Sequence, residues 1–180
     1  MKRIVLTLGA LALSTSVFAQ TPADLETALT PAPANLKDGA TVVKWKPDYT
    51  YDTVRKGTNT LVCFDRSGQP GQQPFAAECT SLANLPRVAQ NLKFEAETDR
   101  AKRTAALAAA EKDGSRIKPE YGSVWYHVMG MNKDNIRRHT TIAVPGATSQ
   151  STGLPDNGKQ GGVWIMDAGT STAHLMIPGF

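Results

Sequence analysis

The sequence predicts an α+β fold, in which an antiparallel β-sheet carries one long or two shorter helices between an N-terminal and a C-terminal group of strands. Three observations lead to this prediction. Residues 41–64 alternate apolar and polar side chains and are rich in β-branched residues, which is typical of strands. Residues 80–112 are rich in Ala, Leu, Lys, Glu and Arg, and their apolar residues recur every three or four positions, as in an amphipathic helix. Alternation returns after residue 123, so the order is strands, helix, strands.

The first 19 residues have the pattern of a bacterial signal peptide. Lys2 and Arg3 precede an apolar run over residues 4–13, and residues 17–19 offer the small-x-small pattern that a signal peptidase cleaves. We therefore predict an exported protein whose mature chain starts at Gln20. Its predicted localisation is periplasmic or extracellular.

The remaining chain of about 160 residues is long enough for one domain with its own core. We place this single α+β domain at residues 38–180, after a Pro- and Ala-rich arm at residues 20–37. The formal net charge of +4 includes Lys2 and Arg3, so the mature chain is close to neutral and a nucleic-acid partner is not expected. No second apolar run reaches about eighteen residues, so we expect a soluble protein without a transmembrane segment.

The first group of strands contains the two cysteines of the chain. Strands are predicted at residues 41–45, 52–57 and 60–64, arranged as a three-stranded meander. Cys63 and Cys79 are predicted to form a disulfide, because an exported chain folds under oxidising conditions and the pair lacks the CxxC spacing of redox and metal sites. By loop-closure entropy such a bond stabilises the fold by about 3 kcal/mol.

The helical region is predicted to begin near Leu85, because Pro86 is tolerated only in the first turn of a helix. It is predicted to stop at Gly114, a residue type that often follows a helix end in the left-handed conformation. Charged residues follow Phe94, and the pattern leaves open whether residues 81–113 form one helix or two joined there. These charges are expected to lie on a solvated face.

The second group of strands is predicted at residues 123–129, 138–144, 162–167 and 173–178. Residues 145–162 are rich in Gly, Ser, Thr and Pro and are predicted to form a long loop. Long loops in compact domains often cover a binding site.

Several short blocks resemble an uncharacterised family of secreted bacterial proteins. The blocks are residues 38–42 (DGATV), 55–59 (RKGTN) leading to Cys63, the Pro- and Gly-rich approach to Cys79, 161–166 (GGVWIM) and 173–178 (AHLMIP). The resemblance extends over most of residues 38–179 and implies a shared fold and export. It implies no catalytic role for any residue.

Two His-x-Met pairs indicate a metal site. They are His127 with Met129 in one predicted strand and His174 with Met176 in another. Side chains two residues apart in a strand share a face, so the four groups would converge if the two strands were neighbours. Imidazole and thioether ligands together suit copper, and Met166 and His139 are further candidate ligands. The alternative is that the methionines fill the core and no cofactor is bound.

The overall pattern favours a binding or envelope-accessory protein, with an unknown envelope or extracellular partner, over an enzyme. A periplasmic copper-binding protein is one alternative. A small secreted hydrolase is another, with Ser149 or Ser151 as the nucleophile under the 145–162 loop, although the chain has no Gly-x-Ser-x-Gly motif. The Gly-rich residues 153–162 match neither a Walker loop nor a dinucleotide-binding fingerprint.

Overall fold

A computed structural model of the protein describes residues 22–178. The predicted signal peptide at residues 1–19 and the predicted mature start at Gln20 lie outside the described residues. The described chain begins with helix α1 (Pro22–Leu29), which is followed by the short helix α2 (Ala34–Lys37).

The N-terminal segment predicted as an arm is a packed helix in the structure. Ala28 and Leu29, at the end of α1, are buried in an apolar cluster that includes the disulfide. Two of the prolines that suggested an arm flank this helix: Pro22 is its first residue and Pro31 follows its end, where proline does not disturb helical hydrogen bonding. The arm predicted at residues 20–37 is therefore corrected over its described part.

Within residues 22–178 the strands form one eight-stranded sheet. The strands are β1 (Thr41–Trp45), β2 (Tyr51–Arg55), β3 (Leu61–Asp65), β4 (Phe75–Ser81), β5 (Val124–Asn132), β6 (Asn135–Ala143), β7 (Trp164–Met166) and β8 (His174–Pro178). Their order across the sheet is β2-β1-β3-β4-β5-β6-β8-β7. All neighbours are antiparallel except β1 and β3, which are parallel. The predicted α+β class is confirmed.

Two features of the sheet differ from the predictions. The first three strands are not a meander, because β1 lies between β2 and β3 and the chain crosses over to place β3 parallel to β1. No strand was predicted around Cys79, but this segment forms β4. Its Ala and Glu residues have low strand propensity, and pairing with β3 on one side and β5 on the other overrides that preference.

The helical region consists of two helices, α3 (Leu85–Glu95) and α4 (Arg100–Asp113), so the structure decides the alternative left open by the sequence. Pro86 lies in the first turn of α3, as predicted. Asp99 starts the second helix, since its carboxylate accepts hydrogen bonds from two backbone N–H groups of the first turn. Gly114 has a φ of 77° and follows the end of α4, also as predicted.

The β1–β4 half of the sheet is covered by a helix on each face. On one face α1 packs against Val42 and the disulfide. On the other face Val88 of α3 packs against Val62 and Phe64, all of them almost fully buried. This half is therefore a three-layer arrangement of helix, sheet and helix.

The predicted disulfide between Cys63 and Cys79 is present. The two residues are directly opposite each other on β3 and β4, with Cα atoms 4.1 Å apart, and both are fully buried. The bond therefore lies inside the core next to α1.

The block at residues 55–59, one of those that resemble the secreted family, has a structural role. A side chain at Gly57 would bring its Cβ to 2.2 Å from the Gly39 carbonyl oxygen, so only glycine fits there. The Arg55 guanidinium donates hydrogen bonds to the carbonyl groups of Lys37 and Ala40. These contacts hold the end of β2 against the chain between α2 and β1.

The β5–β8 half of the sheet is covered differently. One face carries a small apolar cluster of Val144, Ile165 and Ala173, together with the loop that contains the short helix α5 (Ser149–Thr152). The opposite face is partly open and forms the cavity described below. Across the described residues, no helix has the length and apolar character that crossing a membrane requires.

Candidate functional site

A cavity of about 390 Å³ lies on the sheet face that α3 covers only in part. This volume is within the range of about 300–1,000 Å³ that is usual for small-molecule sites. Its floor is formed by side chains of β4, β5, β6, β7 and β8: Glu78, Trp125, His127, His139, Thr141, Ala143, Met166, His174 and Met176. We call this space the sheet cavity.

The wall of the sheet cavity is one face of α3. Arg87, Asn91 and Glu95 follow one another at intervals of four residues and therefore lie on one stripe of the helix. Arg66, which follows β3, and Pro119 and Thr172 from connecting segments complete the lining. The lining thus combines apolar side chains with two arginines, two glutamates and three histidines.

A buried ion cluster closes one end of the sheet cavity. Arg66 is only 2% exposed and bonds to two carboxylates, Glu78 at 3.0 Å and Glu95. Burial alone would raise the pKa of Glu78, but the charge of Arg66 and the contact with His127 outweigh it and lower that pKa to about 2. At Glu95 burial prevails over the attraction of Arg66, so its pKa is raised. Glu78 is therefore ionised near pH 7.

His127 lies between this ion cluster and the middle of the sheet. Its Nδ1 atom is 3.6 Å from Oε1 of Glu78, and its Nε2 atom is 3.4 Å from the hydroxyl oxygen of Thr141. The His127 ring stacks on the His139 ring with centroids 4.4 Å apart. Burial and the charge of His127 lower the pKa of His139 to about 4, against the attraction of Glu78, so His139 is neutral near pH 7.

Arg87 is the positive group at the α3 wall. It is 3% exposed and donates hydrogen bonds to the Ile117 carbonyl and to the Thr172 hydroxyl, 2.9 Å away. Within the described part of the chain it forms no salt bridge. Burial and repulsion from Arg116 lower the pKa of Arg87 to about 10, although Glu111 attracts its charge. Arg87 is thus a cation without a carboxylate in contact.

Thr172 connects Arg87 to the third histidine. Its backbone carbonyl is 2.7 Å from Nδ1 of His174, and its hydroxyl lies 3.3 Å from the Glu111 carboxylate of α4. Because a carbonyl only accepts hydrogen bonds, Nδ1 of His174 carries a proton, and the lone pair of the neutral ring is therefore on Nε2.

Three of the four predicted metal ligands line the sheet cavity, namely His127, His174 and Met176. The condition that the two strands be neighbours is not met, because β6 lies between β5 and β8. Met129 pairs with Arg137 whereas Met176 pairs with Thr141. The two methionines are thus two strands and four residues apart, roughly 16 Å by standard sheet spacings.

Metal ligation by harder side chains is not indicated. Among residues 22–178, no group of three or more His, Cys, Asp or Glu side chains is placed to hold a metal ion.

The serines considered as nucleophiles lie elsewhere. Ser151 exchanges hydrogen bonds with Thr148 at the start of α5, and Ser149 is the first residue of this short helix. Neither serine is among the residues that line the sheet cavity. The hydroxyl group that lies beside a histidine there belongs to Thr141.

The sequence analysis missed most of the charged residues of the site. Glu78 was missed because β4 was not predicted, and Arg66 because it lies beyond the strand predicted at residues 60–64, in a segment for which no element was predicted. A usable signal exists at Glu78, since a single acidic residue sits inside the apolar run at residues 75–79. Arg87 gave no such signal, because an arginine in the first turns of an amphipathic helix is usually exposed.

No protein-family model matches the chain, and searches of curated proteins and of solved structures find no significant match. The resemblance to a secreted bacterial family therefore stays a prediction, and the functional argument rests on the site alone.

Proposed function

We propose that the protein is an exported binding protein whose sheet cavity holds a small organic carboxylate. The observation that carries this proposal is Arg87, a guanidinium that is 3% exposed, lines a cavity of about 390 Å³ and has no salt bridge within the described residues. A buried cation is costly unless it is paired, so an anionic ligand would supply the missing partner.

The rest of the cavity suits the apolar part of such a ligand. Trp125, Met166 and Met176 present aromatic and thioether surface on the floor. Apolar walls with a few oriented polar groups are the usual composition of a small-molecule site. The ion cluster at the far end is internally paired through Arg66, so Arg87 is the better anchor for an added anion.

Export is supported by two features. The first 19 residues have a signal-peptide pattern, and the buried Cys63–Cys79 disulfide suits a protein that folds in an oxidising compartment. Cell fractionation, followed by mass determination of the mature chain, tests this part. An N-terminus at Gln20 in the periplasmic or extracellular fraction is expected, and an unprocessed cytoplasmic chain would contradict export.

Ligand binding is tested with matched pairs of probes. We would titrate the purified protein with 3-phenylpropionate and with its neutral amide by calorimetry. A charge-assisted hydrogen bond contributes about 1.5–3 kcal/mol, so the acid is expected to bind roughly 10- to 100-fold more tightly than the amide. Arg87→Gln should abolish this preference. Equal binding of acid and amide, or no binding of several such carboxylates, would rule out the proposal.

One observation favours a second candidate function, hydrolysis. Glu78, His127 and Thr141 lie in line on the cavity floor, with separations of 3.6 and 3.4 Å, in the order carboxylate, imidazole and hydroxyl. In this scheme His127 takes a proton from Thr141 as that oxygen attacks an ester carbonyl, and gives the proton to the leaving alcohol. A water molecule deprotonated by His127 then releases the acid from Thr141, or water attacks the ester directly in a single step.

The stacked histidine provides a matched control for this second candidate. His127→Asn should abolish hydrolysis of a nitrophenyl ester of a short carboxylic acid, whereas His139→Asn should retain it. If both variants keep the activity, or the unmodified protein has none, hydrolysis is excluded and the binding function is unaffected.

A further inference from the structure

The wall of the sheet cavity formed by β7 and β8 carries a separate set of ligands. Met166 is directly opposite His174 in the antiparallel pair, and Met176 is two residues from His174 on the same strand. All three side chains line the sheet cavity and therefore share one face of the sheet. Directly opposite residues have Cβ atoms about 5 Å apart, and residues i and i+2 of one strand are about 7 Å apart.

His174 is prepared to act as a ligand. Its Nδ1–H donates to the Thr172 carbonyl at 2.7 Å, which fixes the orientation of the ring and makes Nε2 the metal-binding nitrogen of the neutral tautomer. Metal-binding histidines almost always have such a partner on the second ring nitrogen. Thr172 is itself held by Arg87 and by Glu111, so the ring is oriented through a hydrogen-bonded chain that extends to α3 and α4.

The two methionines have the length and freedom to reach the same point. Met166 is 39% exposed, and Met176 is half-buried at the cavity floor. An unbranched thioether side chain with three rotatable bonds adapts easily to a nearby partner. An exposed methionine opposite a histidine is also poorly explained by core packing.

From this arrangement we propose that Met166, His174 and Met176 form a binding site for a single Cu⁺ ion. Two thioethers and one imidazole are soft, uncharged ligands, which favour Cu⁺ over the hard divalent cations that require carboxylates. The positive charge of Arg87, joined to His174 through Thr172, opposes a divalent ion more strongly than a monovalent one.

This set differs from the one the sequence predicted. His174 and Met176 are retained, and Met166, named from the sequence only as a further candidate ligand, joins them through its register on β7. His127, Met129 and His139 are left out. The inference goes beyond the carboxylate-binding function and does not depend on it. Copper binding requires the two methionines, whereas carboxylate binding requires Arg87, so either can fail without the other.

The test is a competition for Cu⁺ between the purified protein and a chromophoric Cu⁺ chelator, bicinchoninate, under anaerobic reducing conditions. One equivalent of Cu⁺ is expected to bind. Loss of a supporting group alone typically lowers metal affinity about 10- to 100-fold, so the double variant M166L/M176L should lose at least about tenfold. The matched control M129L/M131L changes two methionines outside the site and should bind as the unmodified protein does.

Methyl-labelled methionine gives a readout that does not depend on affinity. The chain has five methionines, and in an NMR titration with Ag⁺, a redox-inert substitute for Cu⁺, only the methyl signals of Met166 and Met176 should shift. Those of Met129 and Met131 serve as internal controls. Unchanged affinity in M166L/M176L, or equal shifts at all the methionines, would overturn the proposal.

Discussion

The two halves of the sheet differ in what lies on the face that α3 approaches. In the β1–β4 half, Val62, Phe64 and Val88 form a closed apolar cluster. In the β5–β8 half, the corresponding positions carry histidines, methionines and a threonine around a cavity. One sheet and one helix thus support a core at one end and a site at the other. We therefore expect stability to come mainly from the half of the sheet that helices cover on both faces. The polar and ligating side chains are accessible in the half that α3 leaves partly open.

The largest effect should come from a pair of alanine substitutions, one in each half of the sheet. Phe64 is fully buried, so Phe64→Ala should lower the free energy of unfolding by about 3–5 kcal/mol. Met176 lines the open cavity, so Met176→Ala should cost less than about 1.5 kcal/mol because little packing is lost. Urea denaturation followed by tryptophan fluorescence measures both. Equal losses would show that the two halves are packed alike.

The disulfide is expected to contribute almost as much to the covered half. Replacing both Cys63 and Cys79 by Ala removes a cross-link over 16 residues, for which chain entropy indicates a loss of about 3 kcal/mol. Equilibrium unfolding of the double variant gives the value. The single variant Cys63→Ala is the control, since it breaks the same bond but leaves one buried thiol. A loss below about 1 kcal/mol would mean that the apolar cluster holds β3 and β4 together without the bond.

Acid sensitivity should come from groups that line the sheet cavity, and stability should be lost in two steps as the pH falls. The pKa of His139 is lowered from 6.5 to about 4, so the unfolded chain binds this proton first and stability falls as pH decreases through that interval. The pKa of Glu78 is lowered from 4.5 to about 2, so its contribution is present above pH 4.5 and is lost as pH falls toward 2. Each step amounts to at most about 3 kcal/mol, less what solvent screens.

Urea midpoints measured from pH 7.5 to pH 2.5 separate the two steps. His139→Asn should remove the upper step and leave the lower one. Glu95, whose pKa is raised above 4.5, acts in the opposite direction above that pH and makes the upper step shallower. A stability that is flat between pH 7 and pH 4 in the unmodified protein would contradict the assignment of His139.

The smallest expected effect is at the start of α4, which packs only lightly on the rest of the chain and has Ala110 as its one buried residue. Asp99→Ala removes the side chain that caps this helix and should cost about 1 kcal/mol. Because α4 contributes little to either cluster, we expect faster amide hydrogen exchange confined to residues 100–113. Loss of protection throughout the sheet would show that α4 is integral to the core.

Local patterns predicted much of the fold, and pairing between distant segments set the rest. Alternation located most strands, and residues 85–114 predicted a helical region with the correct ends. Strand order escaped prediction because β1 pairs directly with β3, which is not the next strand in the sequence. The candidate site, too, was predicted from local patterns only in part. His174 and Met176 share a face as the period of two requires, whereas Met166 joins them through a register that only the folded sheet defines.

The spacing of Arg87, Asn91 and Glu95 also bears on which changes in chain length the protein tolerates. One residue inserted into α3 between Val88 and Asn91 would turn the following residues by about 100°, moving Asn91 and Glu95 away from the sheet cavity. The long loop after β6 is under no such constraint, because its backbone runs over the surface. Insertions and deletions should therefore be nearly neutral around residues 156–161 and damaging in α3. A library of single-residue insertions would map the boundary between the two.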